Sequence, residues 1–207
     1  MALAFNLRIL LLKVFVITVI RMDYLFRSSR LGFRQWQSSD IKPFSEMCRD
    51  EVVMEFFPKL LTEEETMASV LRFSKSIEEL GHGFFAVDLL STNTFIGFIG
   101  YIYQTMNVSF APCFEIGWRL DRKVWNHGLA TEGAKASLEH AFTYTKCKEM
   151  YSITPVQNVK SERIMQKLGM HHIGYFEHPL LDPSSDLRKH TIYKVTNPIG
   201  SDTVKNI

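Results

Sequence analysis

The chain has 207 residues, 46% hydrophobic and 22% charged, which accommodates one domain with a buried core and excludes a disordered chain. Its formal net charge is +2 with acidic and basic residues interspersed, so no basic stripe is available and no nucleic-acid partner is expected. Cys48, Cys113 and Cys147 are widely spaced and form no C-x-x-C pair; they read as reduced thiols of a cytoplasmic protein rather than a disulfide framework or zinc site.

The amino terminus carries an apolar run over 9–20, ILLLKVFVITVI, interrupted by Lys13 and flanked by Arg8 and Arg21. A membrane-spanning helix needs ~20 apolar residues, so no stable membrane insertion is expected. No small-residue cleavage site precedes Met22, which argues against a signal peptide. The run reads as a membrane-surface or partner-docking segment, an extra core element, or sequence upstream of a true start at Met22. The last is favoured, because the domain pattern begins only near Arg30. The expected organisation is an apolar extension over 1–25, one domain over 26–197 and a tail over 198–207.

Alternation over 31–36 predicts a first strand, and a helix follows over 40–49 with Pro43 in its first turn. Thr62 and Glu65 form a capping box that opens a helix running to about Gly81. Strands over 83–88 and 95–103 flank a turn at 90–93 rich in Ser, Thr and Asn. The clearest alternation is 114–120: Phe114, Ile116, Trp118 and Leu120 on one face, Glu115, Gly117 and Arg119 on the other, which is the polar one. Ala130, Ala134, Leu138, Ala141 and Phe142 recur at helical spacing, giving a helix over 130–145. A short strand over 150–154 and a helix over 158–168 follow, with Asn158 as N-cap and Gly169 past the end. Strands near 173–176 and 190–195 complete an α/β sandwich around a mixed sheet.

The strand, turn and helix at 114–145 carry the chemistry. A turn ending Gly128-Leu129-Ala130 at a helix start presents unpaired N–H groups, and with the helix dipole these form an anion site suited to a diphosphate. Gly128 permits close backbone approach and Ala130 leaves the helix start uncrowded. By itself, G-x-A before a helix also describes an ordinary tight turn.

Three segments in order, EIGWRL, WNHGLATEGAKASLEHAF and NVKSERIMQKLGM, resemble the GNAT N-acetyltransferases, most closely the branch of ribosomal-protein amino-terminal acetyltransferases. The likeness covers roughly 30–195 and its specific motifs lie within 115–170. It implies a mixed, mostly antiparallel twisted sheet flanked by helices, with the strands at 114–120 and 150–154 splayed apart. It implies acetyl-CoA as co-substrate and no metal. The family's Q/R-x-x-G-x-G/A loop aligns with Trp125, Asn126, His127, Gly128, Leu129 and Ala130, with Trp125 in place of the usual Gln or Arg. Thr131 follows on the helix, Gly117, Trp118 and Arg119 lie on the strand beside the pantetheine arm, and Asn158 matches the family's pantetheine-binding Asn.

For the chemistry, the resemblance makes Glu115 the general base, through water, with backbone N–H groups near Gly117 and Trp118 holding the oxyanion. The Tyr that serves many of these enzymes as general acid is replaced by Met165, so Ser161, a water or unassisted thiolate departure takes its place. Each role has a structural competitor: Glu115 can pair with Arg119, Asn158 can simply cap its helix, and His127 can be a solvated loop residue. His171, His172 and His178 lack a recognised ligand spacing. The acceptor is a small-molecule amine or a protein amino terminus, with a pocket near 48–61 and 178–190, and a homodimer is compatible with this reading. The alternatives are a catalytically silent acyl-CoA-binding module of the same fold and a membrane-associated protein anchored by its apolar run.

Overall fold

A computed structural model describes residues 23–198. The apolar run at 9–20, with the proposed start at Met22, and most of the tail lie outside the described residues. Among those described, no helix is long and apolar enough to cross a membrane.

Eight strands form one sheet in the order β1-β2-β3-β4-β5-β6-β8-β7. They are β1 (Phe26–Arg27), β2 (Leu31–Arg34), β3 (Phe84–Leu89), β4 (Thr94–Gln104), β5 (Cys113–Leu120), β6 (Glu149–Pro155), β7 (His171–Glu177) and β8 (Lys189–Thr196). The helices are α1 (Ser38–Cys48), α2 (Glu63–Leu80), α3 (Leu129–Thr145) and α4 (Val159–Lys167). Neighbouring strands are antiparallel except β5 and β6, a parallel pair joined through the α3 crossover. The sheet is therefore mixed and mostly antiparallel, as the resemblance implies.

Local chemistry sets the helix ends. Thr62 accepts from the Glu65 amide while the Thr62 amide donates to the Glu65 carboxylate, and Gly81 closes α2 in the left-handed conformation at φ 71°. The first helix starts earlier than periodicity suggests, at Ser38, because Asp40 reaches back to accept from the Gln37 amide at 2.8 Å. Pro43 consequently lies in the helix interior rather than its first turn.

The pleat of β4 assigns the layers. Phe98 packs toward α1 and α2, with ring centroids 5.8 Å from Phe44 and 5.5 Å from Phe73. Its neighbour Ile99 must point the other way. There α3 rides so close that a Cβ on Gly133 would meet the Ile99 Cδ1 at 2.3 Å. Strand β5 pairs along its whole length with β4, setting Arg119 opposite Phe98, Gly117 opposite Gly100 and Glu115 opposite Ile102. Glu115, Gly117 and Arg119 thus lie on the α1/α2 face, beneath aromatic rings. The sequence assigns them to a polar strand face; the structure covers it, because a central strand in a layered sheet has neighbours on both sides.

The first strand also differs. It ends at Arg34 instead of continuing to residue 36, all four of its residues are buried, and a two-residue β1 precedes it. Arg34 is polar in sequence and core in structure: it donates to Asp40 at 2.6 and 2.9 Å and to Asp88 at 2.7 Å through two nitrogens. Replacing it strands two buried carboxylates, and breaking such a pair typically costs about 3–5 kcal/mol. Arg34→Met is expected to lower the unfolding free energy measured by denaturant titration by that amount; a loss under ~1 kcal/mol would show that the cluster is solvated.

Candidate active site

Strands β5 and β6 share a single register pair, Glu115 with Tyr151, before they diverge. At the fork, the Ser152 hydroxyl donates to the Ile116 carbonyl at 3.0 Å. The N–H and C=O of one residue in an extended strand point to the same side, and the side alternates along the chain. With the Ile116 carbonyl turned toward β6, the Trp118 amide faces the opening and the Gly117 amide faces β4. Trp118 is thus the better placed of the two oxyanion donors expected from sequence.

The loop between β5 and α3 is held from several directions. Asp121 accepts from the Lys123 amide at 2.9 Å, starting a short turn over Arg122–Val124. The Trp125 indole N–H donates to the Leu120 carbonyl at 2.8 Å, so this side chain braces the loop. Asn126 and Gly128 both take positive φ, 63° and 75°, which turns successive amides outward. The backbone N–H groups of residues 126–131 have no acceptor among the described residues. A diphosphate would therefore meet unpaired donors at the positive end of α3.

A cavity of about 950 Å³ joins this loop to the fork and to the segment between α1 and α2. Most of the sequence-predicted set lines it: Glu115, Gly117, Trp118, Arg119, Trp125, Asn126, Gly128, Leu129, Ala130, Thr131, Asn158 and Ser161. His127 is exposed and does not line it; its Nδ1 lies 2.7 Å from the Trp125 carbonyl.

Glu115 accepts from the Gln104 side-chain amide at 3.2 Å, and burial pushes its pKa up to about 7. It makes no ion pair with Arg119 among the described residues, because that guanidinium turns to the Cys48 sulfur and the Phe57 ring instead. Asn158 caps α4 by accepting from the Ser161 amide at 3.1 Å and also donates to Thr154 at 3.0 Å. Met165 is 1% exposed and serves the core. Among the described residues, no three His, Cys, Asp or Glu side chains are grouped to hold a metal ion.

Other groups at the site are not in the sequence-derived set. Arg30 donates to the His127 carbonyl at 3.0 Å and is fixed by Glu132, placing a cation beside the loop from nearly a hundred residues away. Nothing local to Arg30 signals this. Lys160, Arg163 and Lys167 line the cavity from α4, and their helical spacing could have marked a basic face. By contrast, His178 and His190, with rings 4.9 Å apart, line the cavity from the 178–190 segment that the sequence assigns to the acceptor pocket, as Val52, Val53 and Phe57 do from 48–61.

Residues 30–171 match the family profile described as an acetyltransferase (GNAT) domain. The uncharacterized N-acetyltransferase YnaD of Bacillus subtilis is 29% identical over 151 residues, covering 72% of this chain and 84% of YnaD. A GNAT-family acetyltransferase structure from Bacillus anthracis superposes with a TM-score of 0.69 at 26% identity, over 82% of this chain and 96% of that one. RimL, a ribosomal L7/L12 alpha-N-protein acetyltransferase in complex with coenzyme A, superposes with a TM-score of 0.68 at 13% identity, over 84% of this chain and 98% of that one. At that identity the likeness is one of fold.

Proposed function

From a chain that belongs to the GNAT acetyltransferase family, we propose an N-acetyltransferase of the cytoplasm that passes acetyl directly from acetyl-CoA to a primary amine in a ternary complex. Its catalytic unit is residues 26–197. The observation that carries this reading is the run of unpaired amides at the α3 start, opening into the cavity that also holds Glu115. Bound acetyl-CoA supplies an activated thioester.

The chain's own groups divide the remaining work. The amides of Gly128, Leu129, Ala130 and Thr131 hold the diphosphate, assisted by the α3 dipole. The free edge of β5 pairs with the pantetheine arm as an added strand would, and Asn158 supports the arm from the α4 start. Glu115 takes the proton of the incoming ammonium through water, leaving a neutral nucleophile. The Trp118 amide faces the developing oxyanion, where one such donor is typically worth ~3 kcal/mol.

Ser161 is the protein group best placed to protonate the departing sulfur, since Met165 at the expected position has no proton to give. Ser161→Ala is expected to lower kcat about tenfold, below the usual range for an acid because a thiolate leaves readily. An unchanged kcat would assign that proton to solvent. The buried Met165 also favours a second reading, an acyl-CoA-binding module without turnover. Calorimetry with acetyl-CoA, combined with a thiol-release assay over a panel of amines, separates the two. Binding with N-acetylated product supports the transferase; binding with no product from any amine supports the module.

A further inference from the structure

Arg119 carries a charge that its surroundings do not neutralise. Its side chain leaves β5 on the face shared with Glu115 and lines the cavity. Nη1 sits 3.2 Å from the Cys48 sulfur, and the guanidinium carbon lies 3.8 Å from the Phe57 ring centroid. Phe98 and Phe44 complete an aromatic box at 5.5 and 5.9 Å. Nε is buried with no hydrogen-bond partner among the described residues. Cys48 does not serve as an anion, because burial holds its thiol up. Asp50, just beyond α1, is engaged by Arg122 at 2.9 Å. Burial pulls Arg119 down, yet a guanidinium stays charged in proteins. Ring faces repay only part of the cost of desolvating such a cation. An enclosed cation on a ligand cavity calls for an anion that comes with the ligand.

The cofactor's anionic end belongs at the α3 start and the basic face of α4, whereas Arg119 opens toward Phe56, Phe57 and Phe73, on the α1/α2 side. That is the acceptor's half of the cavity. Glu115 and Arg119 are four residues apart on an extended strand, about 13 Å between their backbones. An α-amino acid, whose amine and acid share one carbon, would need the two side chains to converge, whereas Glu115 turns to Gln104 and Arg119 to Cys48 and Phe57.

The geometry points to an acceptor that bears a carboxylate many bonds from its primary amine, held by Arg119 against the Phe57 ring. This rests on the acetyl-transfer reading and adds the substrate class. The test compares 8-aminooctanoate with 8-aminooctanamide as acceptors for the full chain. The acid is expected to show a kcat/KM at least tenfold higher. Arg119→Gln should bring that ratio to within twofold of one, and Arg119→Lys should keep part of it. Equal rates in the natural protein, or an Arg119→Gln loss that is the same for both acceptors, would overturn the inference. Calorimetry of octanoate against octanamide, with coenzyme A present, reads the carboxylate site without turnover. Arg119-dependent octanoate binding without acetylation of any amine would keep this site and remove the transferase reading. Acetylation with no preference for the acid would do the reverse.

Discussion

Glu115→Gln is expected to lower kcat by a hundredfold or more while acetyl-CoA affinity stays within about threefold, the signature of a lost base. The carboxylate is the working form. With burial lifting its pKa to about 7, kcat/KM should fall tenfold per pH unit below that value and level off above it. The variant should lose this limb. The same burial has a stability consequence of opposite sense. Below about 4.5, the unfolded value, the group is protonated in both states and contributes nothing. As pH rises to about 7, the unfolded chain ionises first and stability is lost, up to about 3 kcal/mol for such a shift. Glu115→Gln should therefore be more stable than the natural protein at pH 8 and no more stable at pH 4. Gains at both pH values would show that Gln simply packs better. A fall in acetyl-CoA affinity that exceeds the fall in kcat would make Glu115 structural.

Gly128→Glu is expected to weaken acetyl-CoA binding by more than a hundredfold with the fold intact. Two effects combine. At φ 75° a side chain strains the backbone, at a cost of roughly 1–2 kcal/mol. The new carboxylate would also stand where a diphosphate is to sit, beside Arg30. Space is not the obstacle, since a Cβ there meets only the Arg30 Nη2, at 3.7 Å. Gly128→Ala separates the two effects: it carries the strain without the charge and should weaken binding no more than about tenfold. Calorimetry on both variants, with thermal unfolding as the control for folding, decides this. Equal affinities for Gly128→Glu and the natural protein would remove the site from the loop.

What the sequence made legible was local. The Thr62–Glu65 box, the Asn158 cap and the turn into α3 depend on residues within a few positions of one another, and each forms as expected. Core helices and hairpins follow from periodicity in the same way. The misread features are set by distant partners. Arg34 looks like the polar member of an alternating strand until Asp88 arrives from β3. Glu115 and Arg119 look like neighbours free to pair on a polar strand face until α1 and α2 cover it. Their separation follows from Gln104 claiming one and Phe57 the other. Arg30 reaches the anion loop only because β2 and α3 pack together. No window of local sequence contains that information.

The amides at the α3 start are the groups proposed to grip the cofactor. Nitrogen–proton correlation spectra recorded during an acetyl-CoA titration address this directly. The Gly128, Leu129, Ala130 and Thr131 amide protons are expected to move strongly downfield on saturation, as donors do on meeting a phosphate. Acetyl-pantetheine, which lacks the diphosphate, should leave them in place. Saturable acetyl-CoA binding with these resonances unmoved would contradict that role.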